Sequence, residues 1–242
     1  MTWKLIVTCE HGGHKIPRQY FSLFRSARET LPTHRGWDAG ALPLARRISE
    51  CFNAPLILST TSRLLVDLNR SVGHPRLFSE WSRKLSQPAR DQVLENFYHP
   101  FRDEVIQTIQ SLMSKRQKVL HLSVHTFTPE LAGKHRKTDV GLLYDPRRLS
   151  EKQFARLWKS SLQKVLPRTM CVHCNQPYQG VSDGFTTSLR RQFDSENYLG
   201  IELEISQKWL TENQHFPSRL EQQIVESLSA AWTSFKTIGS HG

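Results

Sequence analysis

Apolar residues fall into short runs along the chain, and each run is about the length of one strand. Such runs occupy 3–9, 55–60, 63–68, 118–124, 139–144, 168–173 and 199–205, and turn-forming residues bound them. Between them apolar positions recur at helical spacing. Residues 37–52 place Ala41, Leu44, Ala45 and Ile48 on one face. Residues 89–116 carry Val93, Phe97, Phe101, Val105, Ile109 and Leu112. Pro100 lies inside that stretch and predicts a kink or two consecutive helices. Residues 150–166 read as a helix with Ser150 as N-cap and Phe154, Leu157 and Leu162 behind it. Residues 217–236 read as a last helix carrying Leu220, Ile224, Leu228 and Trp232. The alternation predicts one α/β domain over 1–242, built on a mixed, mostly parallel sheet flanked by helices. In such sheets ligands gather outside the carboxyl ends of the strands, so polar residues that follow strands are the places to look.

Two histidines stand there. His11 follows the first strand, in "TCEHGGHKIP", and His125 follows "VLHLSV". Asp38, in "HRGWDAG", opens a helix and offers an oxygen. Two imidazoles and a carboxylate, with one position left for water, make a common type of catalytic zinc site. A histidine at a strand end is also an ordinary hydrogen-bonded residue, and an aspartate at a helix start is favoured by the helix dipole. His14 is the next ligand candidate after Asp38, while Glu10 reads as a supporting or loop residue. Gly12 and Gly13 read as letting the backbone turn close to a metal.

In "GIELEISQ", strand alternation puts Ile201, Leu203 and Ile205 on one face and Glu202 and Glu204 on the other. Two carboxylates on a central strand are costly unless solvated, paired or metal-bound. The alternatives are a wet edge strand and a general base beside a metal, its pKa raised by burial or repulsion. "SRLLVDLNRS" offers Arg63 or Arg70 as a two-pronged clamp for a substrate carboxylate. Equally, an Asp67–Arg70 ion pair could close a turn there. His121, four residues before His125 on a strand, reads as a supporting or core residue.

Other signals are weaker. "GVSDG" at 180–184 matches the serine-hydrolase pattern G-x-S-x-G. It follows a turn-rich "NQPYQ" rather than a strand, so Ser182 is kept only as an alternative nucleophile. "CVHC" at 171–174 has no second pair for a structural zinc and reads as a buried reduced pair. No P-loop and no G-x-G-x-x-G occurs.

Composition narrows the classes. Of 242 residues, 38% are hydrophobic and 23% charged, which is ordinary for a folded soluble chain. No apolar run nears the ~20 residues of a membrane span, and no signal peptide is recognisable. Four scattered cysteines fit reduced thiols in a cytoplasm. The net charge of +11 admits an anionic small-molecule substrate or a non-catalytic basic binding protein. Nucleic acid is disfavoured, because the basic residues are dispersed and no nucleic-acid motif is present.

Taken in order, "CEHGG…IP", "GWDAGA", "SRLLVDLNRS", "YHPFR", "LSVHTFTP", "DVGLLYDPRR", "NQPYQGVSDG" and "GIELEISQ" resemble the N-formylglutamate amidohydrolase family. The series spans most of 4–207. The resemblance implies a zinc-exopeptidase-like α/β fold and hydrolysis of an N-acyl amino acid amide bond by zinc-activated water. The type reaction converts N-formyl-L-glutamate to formate and glutamate. "DLNR" is similar to a stretch of the aspartoacylase-type deacylases that helps hold an acidic substrate. The resemblance implies His11, His125 and Asp38 as zinc ligands, with Asp38 standing where the deformylases tend to carry a histidine. It implies Glu204 as general base with Glu202 as alternative. Arg70 and Asn69, with Arg63 or Arg190, would then hold the carboxylates of a small anionic substrate. "CEHGGHKIP" differs from the more typical "P-H-A-G", so the resemblance carries the reaction class further than the formyl group or the glutamate.

Overall fold

The structure, a computed structural model, describes residues 2–239. In chain order the elements begin with β1 (Thr2–Cys9), α1 (Ala41–Phe52), β2 (Leu56–Leu58), α2 (Gln87–Val93) and α3 (His99–Ser114). They continue with β3 (Gln117–Phe127), the two-residue strands β4 (Glu130–Leu131) and β5 (Lys134–His135), β6 (Val140–Leu143) and α4 (Leu149–Val165). The last are β7 (Val172–Cys174), α5 (Phe185–Gln192), β8 (Tyr198–Ser206) and α6 (Ser218–Gly239).

Six strands form one sheet in the order β2-β1-β3-β8-β6-β7. All neighbours are parallel except β6, which runs antiparallel to β8. This is the mixed, mostly parallel α/β sheet expected from the alternation of runs. α1 and α4 cover one face, and α6 packs on both; α3 and α5 cover the other.

The period of two along the central strands sorts residues between these faces. Leu5, Val7 and Cys9 of β1, Leu120, Leu122 and Val124 of β3, and Ile201, Leu203 and Ile205 of β8 join the core under α1, α4 and α6. The intervening positions look the other way. Near the strand starts these are Ile6, Val119 and Tyr198, packed with Phe101, Val105 and Ile109 of α3 and Phe185 of α5. Near the strand ends they turn polar: Thr8, then His121, Ser123 and His125, then Glu202 and Glu204. All are buried. Register sets them side by side, with Thr8 opposite Ser123, Ser123 opposite Glu202, and His125 opposite Glu204.

Three elements depart from the pattern, while the 89–116 stretch divides into consecutive helices as Pro100 predicts. Residues 63–68 are not a strand. Leu64, Leu65, Val66, Asp67 and Leu68 are all buried, so no alternation holds. The chain there folds in turns, with Leu65 N donating to Ser62 O and Asp67 N to Leu77 O. The 89–116 stretch breaks into α2, a π-helical turn at Leu94–Tyr98 and α3, with Pro100 in the first turn of α3. That position tolerates its missing N–H. The strand expected at 168–173 starts only at Val172, after a turn in which Met170 N donates to Pro167 O. α4 begins at Leu149 with Arg148 as its N-cap in place of Ser150. The eight-residue helix α5 was not singled out by periodicity, being too short to show it.

Candidate metal centre

His11 lies just past β1, and its backbone carbonyl accepts from Asp38 N at 2.9 Å. That bond fixes Asp38 ahead of α1. Both side chains are buried, as is His125 near the end of β3. His11 Nε2 lies 2.7 Å from Asp67 Oδ1 and Nδ1 lies 3.3 Å from Asp38 Oδ2. His125 Nδ1 lies 2.9 Å from the same Asp38 Oδ2, and its Nε2 lies 2.8 Å from Ser123 Oγ. Ser123 Oγ donates to Glu10 Oε2 at 2.9 Å.

These bonds assign the tautomers. Glu10 is held ionised: burial pushes its carboxyl up, but His125, His121 and the Thr8 hydroxyl together bring it below its usual value. An ionised carboxylate only accepts, so the single Ser123 proton goes to Glu10. Ser123 Oγ must then accept from His125 Nε2–H. Asp67 is also ionised, because Arg63 and His11 outweigh its burial, so His11 donates its Nε2–H to Asp67. Both imidazoles therefore turn Nδ1 toward one oxygen of Asp38. Asp38 itself is driven far below the carboxylate range despite its burial, by His11, His125 and Arg63.

Three electron-rich atoms converging at 2.9 and 3.3 Å need a positive charge between them. In the bare chain a proton on His125 Nδ1 supplies it. Burial alone would lower that histidine, but the bond to Asp38 and the charge of Glu10 push it up to about 10. A metal ion supplies it equally well. Ligand atoms on a tetrahedral ion stand about 3.3 Å apart, and histidine ligands are commonly held through their other nitrogen by carboxylates. Charge agrees: Glu10, Asp38 and Asp67 are opposed by the one guanidinium of Arg63, which donates to Asp38 Oδ1 at 3.2 Å and to Asp67 Oδ2 at 2.8 Å. A metal cation would offset this excess of negative charge. One donor atom from each of His11, Asp38 and His125 lies within 4.8 Å of the others. This buried triad could hold a metal ion.

The sequence profile of N-formylglutamate amidohydrolase matches residues 3–211. The chain belongs to the N-formylglutamate amidohydrolase family. A gene product of Agrobacterium tumefaciens has a similar structure, with a TM-score of 0.82 and 27% identity over 96% of this chain and 92% of that one. The N-formylglutamate amidohydrolase of Ralstonia eutropha superposes with a TM-score of 0.71 over 100% of this chain and 96% of that one. At 14% identity that likeness is one of fold. No curated protein sequence matches the chain. Family membership makes it a hydrolase of the amidohydrolase type.

In this family member Glu202 and Glu204 lie on the same face as the triad, on a strand between two others rather than at a wet edge. Glu202 Oε1 accepts from the Thr186 hydroxyl of α5. Glu204 Oε2 is buried with no hydrogen-bond partner among the described residues. Burial, reinforced by Asp38 and Glu202 and opposed by His125, pushes its carboxyl up to about 8. Arg63 pairs with Asp38 and Asp67, so the acid–base pair at Asp67 involves Arg63. Arg70 meets Asp67 only through its backbone, N to O at 3.1 Å. The Arg70 guanidinium donates from Nη1 to Asp183 O at 2.5 Å, while its Nε is buried without a partner among the described residues. Asn69 Oδ1 accepts from Phe185 N at 2.6 Å, docking α5 beside the centre.

Other candidates take different places. Arg190 is buried, with Nε donating to Glu151, Nη1 to Gly180 O and Nη2 to Gly200 O. Ser182 is exposed in a turn, its N donating to Gln179 O, and its hydroxyl meets no histidine among the described residues. His14 is exposed and packs against Trp37 with ring centroids 5.0 Å apart and the rings tilted by 53°. Gly12 and Gly13 serve a close backbone approach: a Cβ would stand 2.9 Å from Ser59 O or 2.7 Å from Thr60 O. Cys171 and Cys174 are free thiols, exposed and half-buried, rather than a buried pair. His121 is fully buried between Thr8 and Tyr198, at 2.9 and 2.8 Å.

Sequence reasoning missed the supporting roles of Asp67 and Ser123, and it missed Arg136 and Tyr178. Arg136 Nη1 donates to Tyr178 OH at 3.0 Å, and the guanidinium lies 4.9 Å from the ring centroid. The charges of Glu204 and Asp38 reach Tyr178, which places the pair beside the centre.

Proposed function

We propose that the protein hydrolyses the amide bond of an N-acyl amino acid, N-formylglutamate-like, with zinc as its metal. Its substrate is a small anion, and the whole of 1–242 forms one such catalytic domain. The convergence of His11 Nδ1, His125 Nδ1 and Asp38 Oδ2 supports this reading above all else. These three side chains would hold the ion, two imidazoles and a carboxylate being a donor set zinc accepts. The chemistry supplied by zinc bound there would be Lewis acidity toward a water and toward the carbonyl under attack.

The protein's own groups do the rest. Glu204 Oε2 accepts the proton of the attacking water and then donates it to the leaving nitrogen. Amide plus water thus gives carboxylic acid and free amine. A carboxyl with one oxygen free of partners suits that shuttle. Glu202 is the alternative base, but its Oε1 is committed to Thr186. Ser123 and Glu10 hold His125 in its ligand tautomer, and Asp67 does the same for His11. Arg70 and Asn69, with Arg63 behind them, orient the substrate carboxylates. Arg190 frames the 180–200 segment through Glu151 and two carbonyls.

The test is a screen of N-acyl amino acids, N-formyl-L-glutamate first, with and without added Zn²⁺. Release of free amine that depends on the metal is expected. Activity indifferent to chelators and lost in Ser182→Ala would overturn the reading.

A further inference from the structure

A cleft of about 480 Å³ opens beside the proposed centre, and Arg63, Asp67 and Arg70 form part of its wall. Asp67 is one hydrogen bond from His11, and Arg63 one from Asp38. Further along, Arg35, Arg76 and Arg83 line the same cleft. Five guanidiniums thus face two carboxylates, Asp67 and Glu80. Glu80 is used up by Arg35, at 2.5 Å, and Asp67 by Arg63 and His11. The guanidinium of Arg76 has no ion pair among the described residues; only its backbone N is engaged, by His74. Arg70 Nε is buried and unpartnered among the described residues. Arg83 donates from Nη2 to Pro75 O and Phe78 O, which holds it at the cleft. His34, also in the wall, is lowered by burial and then by the charges of Arg35, Arg136 and Arg63. The cleft is a cationic field with donors to spare.

Its size adds to this. Clefts of roughly 300–1,000 Å³ enclose drug-sized ligands, which are larger than one N-formyl amino acid. If Arg70 and Asn69 hold the carboxylates nearest the scissile bond, Arg76 lies beyond them with its guanidinium unengaged among the described residues, and Arg83 stands beside it bonded to carbonyls and to no carboxylate. From this excess we infer that the arginine cleft is a second anion subsite, and that the substrate is an N-acyl amino acid extended by a further oxyanion group. This rests on the amidohydrolase reading of the centre. The added group is a carboxylate of a second acidic residue or a phosphoryl group, both of which guanidinium binds in a fork.

The experiment compares kcat/KM for N-formyl-Glu, N-formyl-Glu-Glu and N-formyl-Glu-phosphoserine on the zinc-loaded protein. The wild type is expected to favour one of the extended substrates by about tenfold or more, the factor worth one charge-assisted contact. Which one it favours identifies the group. In Arg76→Ala that ratio falls toward one, and in Arg76→Glu it falls below. A ratio near one in the wild type, or a ratio that both variants leave intact, overturns the subsite. A calorimetric titration with triglutamate runs in parallel and needs no turnover. Weaker binding to Arg76→Glu than to wild type supports the subsite even if no N-acyl substrate is cleaved, in which case only the amidohydrolase reading fails. No binding to the wild type, or equal binding to both, sinks it. Melting temperatures of the variants check the fold.

Discussion

Glu204 is the residue that moves the proton in the proposed reaction. It is buried and raised to about 8, and its Oε2 has no hydrogen-bond partner among the described residues, which suits a carboxyl that passes a proton. Glu204→Gln keeps the shape and removes the proton shuttle. The expected loss in kcat is about 10²–10⁴-fold, with metal content unchanged. An active variant would move the role to Glu202. Glu10 acts differently, through Ser123 on the tautomer of His125. Glu10→Gln removes the ionised acceptor that fixes the Ser123 proton. A fall in zinc affinity of roughly 10–100-fold is expected, read by chelator competition; unchanged affinity would contradict the assignment. The sequence made His11 and His125 legible because strand ends expose them at fixed positions. Asp67 was not legible as their partner. Its segment looked like an alternating strand, and only its folding into turns brings the carboxylate to His11.

At the scale of elements, the polar stripe spans β1, β3 and β8, and the period of two makes it. That period was readable for Glu202 and Glu204, and the parallel sheet around them followed from the alternation of runs. Register was not readable, since it depends on how neighbouring strands pair. His121 shows the cost of the stripe. It sits four residues from His125 on the same face of β3, and burial lowers it to about 4 from 6.5. The unfolded chain takes up its proton near pH 6.5, but the folded chain only near pH 4. Between those values the unfolded state holds more protons, so stability falls as pH falls, by up to roughly 3 kcal/mol from this group. His121→Gln cannot titrate and still reaches Thr8 and Tyr198. The acid-side decline in melting temperature is expected to flatten in it. An unchanged decline would assign the sensitivity to other groups.

For the whole molecule, an apolar core lies on each face of the sheet, and the candidate metal centre lies at one end of one face. No helix among the described residues is long and apolar enough to cross a membrane. The charge of +11 was visible from the start, but its focus was not. Five of the arginines, dispersed over residues 35–83, meet in one cleft only after 63–68 folds into turns and α3 ties it down. Arg102 Nη1 donates to Leu68 O, and Tyr98 OH to Arg70 O. The central claim is the metal centre, and metal analysis of the purified protein tests it most directly. The wild type should carry about one equivalent of zinc after loading and dialysis. His11→Ala, Asp38→Ala and His125→Ala, shown to be folded by circular dichroism, should carry little or none. A wild type that retains no metal, or triad variants that retain a full equivalent, would contradict the account.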